Sequence, residues 1–159
     1  MEFELNNFES FKSYFNTIAQ QANFIDGFLF GDTEGGQEEA QSWTGLKLWV
    51  LPPVKSKLQD LGTDNHILGR EGILWIGGPC SSEAHSDEDH YYHLCESAMK
   101  KVVSRLIQDT RESKISITVN GSMFQRADMN LSSTKFIGCE FIFTINDAEG
   151  FQFNQSDWD

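Results

Sequence analysis

Three things are scarce in this chain: cysteine, basic side chains and long apolar runs. Cys80, Cys95 and Cys139 are too few and too scattered for a disulfide framework, and an odd count suits a reducing compartment. They read as free thiols. Cys139 alternates with Phe141 and Phe143 and reads as a small core residue. No run of about eighteen apolar residues occurs, so no membrane span is expected. The start lacks the basic-then-apolar pattern of an export signal, and the expectation is a soluble chain. Only 12 Lys and Arg stand against 24 Asp and Glu, a net charge of -12 with a pI near 4.6. A field of that sign repels phosphate, which disfavours duplex nucleic acid as the main partner.

Catalytic signatures are missing as well. The glycines around Gly35 and Gly36 are followed by neither the Lys-Ser/Thr of a phosphate loop nor the fixed spacing of a dinucleotide loop. No serine lies in a Gly-x-Ser-x-Gly turn, and no cysteine sits in a nucleophile motif. The sequence therefore nominates no catalytic residue and no cofactor site. One stretch could ligate metal: His85, Asp87, Glu88, Asp89, His90, His93 and Cys95 lie within about three helical turns, and imidazole, carboxylate and thiolate all suit zinc. Its spacing does not match a zinc-protease helix. Acids at a helix start are expected from the dipole, so a solvated cap takes precedence over a metal site built on His85, His90 and His93.

What is present is enough to build one domain. The 159 residues, 39% hydrophobic and 13% aromatic, can bury a core large enough to offset the entropy of ordering. Phe8, Phe11, Phe15, Ile18 and Ala22 recur at helical spacing, with Asn6 or Asn7 available as the cap, and predict a helix over 8–22. Residues 31–42 read as a mobile acidic loop. A strand is expected over 45–51, stopped by Pro52 and Pro53, and another over 72–76, closed by Gly77, Gly78 and Pro79. The polar residues 54–69 read as a connection. Ser86 followed by three acids opens a long second helix, with Tyr91, Leu94, Cys95, Ala98, Val102 and Leu106 on one face, ending near Asp109 or Thr110. Ile115, Ile117 and Val119 lead to Asn120-Gly121, the signal of a tight hairpin or bulge, and 123–129 is expected to return. Ile137, Cys139, Phe141, Phe143 and Ile145 form one apolar face of the last strand.

These elements predict an α+β fold: a mostly antiparallel sheet of four to five strands packed with two main helices. The expected organisation is a single domain over 1–145 and an acidic, aromatic C-terminal tail over 146–159. Phe151, Phe153 and Trp158 in that tail are the candidate interface residues. The acidic excess reads first as a solubility device. Its functional alternative is a face that meets a basic protein, or a channel lining past which DNA slides.

The order of elements, with Phe8-Glu9-Ser10-Phe11-Lys12-Ser13-Tyr14-Phe15, Phe28-Leu29-Phe30-Gly31-Asp32, the strand from Leu46 to Pro53 and the run Phe136-Ile137-Gly138-Cys139-Glu140-Phe141-Ile142-Phe143, resembles the small neck and tail-completion, tail-terminator-like structural proteins of tailed bacteriophages and prophages. The resemblance spans most of the chain with loose motifs. It implies a non-enzymatic subunit, without cofactor, that forms a ring with copies of itself between tail tube and head connector. It further implies assembly in the host cytoplasm, a final place in the virion tail or neck among neighbouring tail and connector proteins, and DNA passage without tight nucleic-acid or membrane binding. Two other classes compete: an acidic monomeric binding protein such as a toxin-immunity protein, and a metal-dependent hydrolase using the 85–95 cluster.

Overall fold

The computed structural model describes residues 3–5, 7–32, 36, 39–40, 42–53, 56–60, 66–81, 85–131 and 134–147. Two long strands form its spine. β4 (His66–Cys80) and β7 (Thr134–Asp147) pair antiparallel in unbroken register from Leu68 opposite Asp147 to Cys80 opposite Lys135. β2 (Lys47–Leu51) adds antiparallel to β4 through Trp49 opposite Trp75, and β1 (Gly27–Phe30) adds parallel to β2. On the other side β5 (Ile117–Arg126) pairs with β7, giving the order β1-β2-β4-β7-β5. The short strands β3 (Ser56–Asp60) and β6 (Met129–Leu131) pair with the far ends of β4 and β7. The fold is α+β, as expected, with a seven-stranded sheet.

The expected count of four to five strands falls short for identifiable reasons. Phe28-Leu29-Phe30 shows too little alternation to announce a strand, yet it pairs along β2 as β1. Within the polar stretch 54–69, residues 56–60 and 66–69 belong to β3 and β4, which pair with each other. Gly77, Gly78 and Pro79 do not close β4, because the strand runs through them. Gly77 lies opposite Gly138 on β7, and the Trp75 indole lies over both, so a Cβ at either would fall inside the ring. The glycines are there to seat a tryptophan.

One face of the sheet carries the helices. α1 (Phe8–Gln21) is capped by Asn7, whose Oδ1 accepts from the backbone N–H groups of Glu9 and Ser10 at 3.0 and 3.1 Å. Phe11, Phe15 and Ile18 of α1, with Cys95, Ala98, Met99, Val102 and Leu106 of α2 (His85–Arg111), pack on Leu48, Val50, Leu74, Ile76, Cys139, Phe141, Phe143 and Ile145. This bears out the expected apolar face of the last strand. Phe8 and Leu94 depart from their expected stripes and face solvent, 44% and 48% exposed. Phe8 opens the first turn; Leu94 sits one residue, about 100°, off the line through Cys95, Ala98 and Val102.

The opposite face has its own smaller core. Trp49 and Trp75 meet edge to face with centroids 6.2 Å apart, and Trp43 packs against both. Leu29, Phe136 and Ala40 complete the cluster. Each buried indole finds an acceptor: Trp75 Nε1 donates to the Ala127 carbonyl at 2.8 Å and Trp49 Nε1 to the Gly31 carbonyl at 3.2 Å. Within the expected mobile acidic loop, Gly36 and Ala40 are buried, and Gly36 lies so close to the Trp49 ring that it admits no Cβ. Those two residues are docked on the sheet.

Seating Trp75 makes Gly138 a sharp test of this packing. Gly138→Ala should displace the indole, strain the β4–β7 spine and weaken the Trp75–Ala127 hydrogen bond, lowering stability by about 2–3 kcal/mol. Urea unfolding followed by tryptophan fluorescence would measure it; an unchanged midpoint would contradict the packing described.

Candidate assembly surface

The histidine-rich stretch does not converge. α2 carries His85, His90 and His93 on its exposed surface, while Cys95 is fully buried with its thiol toward the Ile137 carbonyl at 3.5 Å. His85 and His93 each approach a glutamate one turn on, Glu88 at 3.9 Å and Glu96 at 3.6 Å. Among the described residues no group of three or more His, Cys, Asp or Glu side chains is placed to hold a metal ion. The three cysteines are free and buried. Burial pushes the Cys95 thiol up to about 12 and the Cys139 thiol up to about 11, far from the thiolate a nucleophile or metal ligand needs.

The acids at the start of α2 serve a different purpose. Glu88 is only 6% exposed and accepts from Lys135 Nζ through both oxygens, at 2.9 and 2.8 Å. Arg126 reaches Glu88 at 3.4 Å, Asp89 at 3.0 Å and Asp128 at 2.9 Å, and lies over the Tyr92 ring. The cluster ties the start of α2 to β5 and to the start of β7. The Lys135 hydrogen bond, assisted by the charges of Lys135, His85 and Arg126, holds the Glu88 carboxyl below its ordinary 4.5 against the opposing effect of burial.

A second polar lock joins the helices. Asp109, 1% exposed, accepts from the Tyr14 hydroxyl at 2.8 Å and from Arg105 Nε at 2.9 and 2.8 Å, with Lys114 Nζ at 3.7 Å. Burial and the adjacent carboxylate push the Tyr14 hydroxyl far above its ordinary value. A small cavity of about 100 Å³ sits beside this lock.

With both ionic clusters internal to the fold, the surface that stands out is β5. It ends the sheet order, so its outer backbone edge has no strand partner among the described residues. Five large apolar residues are well exposed among those described, and three of them, Val119, Met123 and Phe124, lie on this strand. Residues 115–125 contain no charged side chain, although edge strands are usually blunted by charge. Asn120-Gly121 turns out to be a bulge: the register with β7 shifts between Thr118 and Met123, with Gly121 at φ +79°. Residues 123–126 therefore continue β5 and do not return along it, a correction to the expected 123–129 strand. The charge-free run was visible in the sequence, but alternation alone assigned Val119 to the interior.

At the opposite end of the sheet β1 is also an edge. Between it and α1 lies an open groove of about 400 Å³ lined by Asn16, Ala19, Gln20, Ala22, Ile25, Asp26, Gly27 and Phe28. Asp26 is engaged there, its Oδ2 accepting from the Leu46 N–H at 2.8 Å. Phe151, Phe153 and Trp158, the candidate interface residues, lie outside the described residues. No helix among the described residues is long and apolar enough to cross a membrane.

No protein-family model matches the chain, and no curated protein matches it.

The Glu88 cluster fixes a pH dependence. A carboxyl whose folded value lies below its unfolded one contributes stability that is fully present above the unfolded value and is lost as pH falls through the folded one. The urea midpoint should therefore drop as pH falls from about 6 toward 3. Glu88→Gln should flatten that slope and lower the midpoint at neutral pH by leaving Lys135 without its anion. A slope identical to that of the parent protein would remove Glu88 from the account.

Proposed function

We propose that this chain is a non-enzymatic structural subunit of a tailed-phage neck or tail, building a ring with copies of itself at the junction between tail tube and head connector. The observation that carries the reading is the edge of β5, free of charge over 117–125 and bearing the exposed Val119, Met123 and Phe124, on a protein of net charge -12. Copies with so strong a like charge repel over most of their surfaces. They can approach closely only where charge is absent, and an unpaired strand edge supplies directed hydrogen bonds at that place. The acidic remainder fits a passage for DNA that must not bind tightly, since few cations are available to neutralise phosphate.

In this reading the neighbours are further copies and the adjoining tail and connector proteins, and the site of action is the virion after assembly in the host cytoplasm. The resemblance of the sequence to tail-terminator-like proteins motivates the same choice. The hydrolase alternative draws no support from the described residues, where His90 and His93 sit on the exposed surface of α2 and Cys95 is buried.

Light scattering of the purified protein from low to high micromolar concentration, with electron microscopy of the largest species, tests the reading. The expected result is a closed multi-copy assembly of one size. A monomer at every concentration would overturn the ring and favour an acidic partner-binding protein of the immunity type.

A further inference from the structure

Resting on that reading, we propose that neighbouring copies join head to tail, the β5 edge of one entering the groove between β1 and α1 of the next. The three longest charge-free stretches of the sequence are residues 13–25, 72–82 and 115–125. Residues 72–80 belong to β4, paired with β7 throughout and with β2 over 73–77, inside the sheet and in no need of charge for solubility. The other two stretches lie at opposite ends of the same sheet, one forming the α1 wall of the groove and the other most of β5. The charges that border these surfaces are already engaged within the chain, Asp26 with the Leu46 N–H in the groove and Arg126 with Glu88, Asp89 and Asp128 at the end of β5, so each is a place where a second copy can dock without burying an unpartnered charge.

The shapes and lengths agree with the charge. Met123 projects from β5, 52% exposed, while Phe124 points to the other face and packs on Phe141 of its own chain with 41% of its surface open; the groove offers Ala19, Ala22, Ile25 and Phe28 as an apolar wall with the amides of Asn16 and Gln20 beside it. The regular part of β5 beyond the bulge, residues 123–126, is as long as β1, residues 27–30. Pairing these two edges would extend the sheet from one copy into the next, the strand-addition mode of recognition. Because donor and acceptor surfaces differ, the contact is heterologous and its repetition closes a ring or grows a filament. A symmetric pairing of β5 with β5 of a second copy would stop at a dimer and leave the groove empty.

Two variants separate these outcomes. Val119→Glu with Met123→Glu charges the inserted edge; Asn16→Glu with Ala22→Glu charges the groove, and all four positions are partly or largely open to solvent. Each double variant alone should be monomeric by light scattering, with unchanged far-UV circular dichroism. An equimolar mixture should form a species of twice the monomer mass and nothing larger, because each partner keeps one intact surface. A groove variant that assembles like the parent protein, or that halts at a dimer by itself, overturns the head-to-tail contact while leaving self-assembly standing. A parent protein that is monomeric throughout overturns both. Should either double variant fail to fold, Gln20→Cys and Met123→Cys in one chain give a second reading. Oxidation should then link copies into a ladder on a denaturing gel, and an absence of linked species in assembled protein would exclude the contact.

Discussion

The rest of the fold depends on the ladder between β4 and β7. Thirteen residue pairs in unbroken antiparallel register, from Leu68–Asp147 to Cys80–Lys135, make a spine from which every other strand but β1 is hung. Register has only two faces to choose from, and a slip of one residue would turn Leu74, Ile76, Phe141 and Phe143 away from the helices. The Trp75 ring adds a second restraint. It demands glycine at both Gly77 and Gly138, which are directly opposed, so a slipped pairing would drive a side chain into the indole. Hydrophobic patterning and this steric lock specify the same register, the agreement between levels that gives a sequence one structure.

That spine also explains where the charges went. Burying Glu88 and Asp109 would be costly for isolated carboxylates, yet each is surrounded by cations and donors: Lys135 and Arg126 from distant strands for Glu88, and for Asp109 the distant Tyr14 together with the nearby Arg105 and Lys114. Each cluster fixes how one part of α2 meets the rest of the fold, a geometric specification that apolar packing alone leaves looser. Seven of the 12 basic side chains lie in or near α2, or in these clusters: Lys100, Lys101, Arg105, Arg111, Lys114, Arg126 and Lys135. Of these, Arg105, Lys114, Arg126 and Lys135 are engaged by the buried carboxylates.

Much of this architecture was legible in the residues. Helical periodicity located α1 and α2 to within a few positions, Asn7 marked the first cap, and the alternation from Ile137 to Ile145 gave the core face of β7. What escaped was long-range. β1 and β3 take their strand form from the neighbours they pair with rather than from their own pattern. Gly77-Gly78-Pro79 carries every local sign of a strand end, and only the ring of Trp75, placed by packing, turns those glycines into strand interior. Asn120-Gly121 announced a change of direction, but hairpin and bulge share that signal, and the choice is made by where β7 offers partners.

The candidate site was less legible for a related reason. Residue chemistry drew the eye to His85, His90, His93 and Cys95, because those side chains can ligate; a helix then spreads them, sending Cys95 inward and the histidines outward. An assembly surface has the opposite signature, a lack of chemistry. Stretches without charge are unremarked in a neutral protein, where any surface can approach another. In a chain of net charge -12 each uncharged exposed patch is a departure from the prevailing repulsion. Mutual repulsion falls off over about 10 Å at moderate salt, so copies that assemble as proposed would need a contact whose directed bonds and apolar burial act inside that distance. In the proposed assembly an edge strand sliding into a groove between strand and helix would meet the requirement, and two such features at opposite ends of one sheet would set a direction for growth. Acidity would then act as a specificity device, opposing every approach except the one along the sheet.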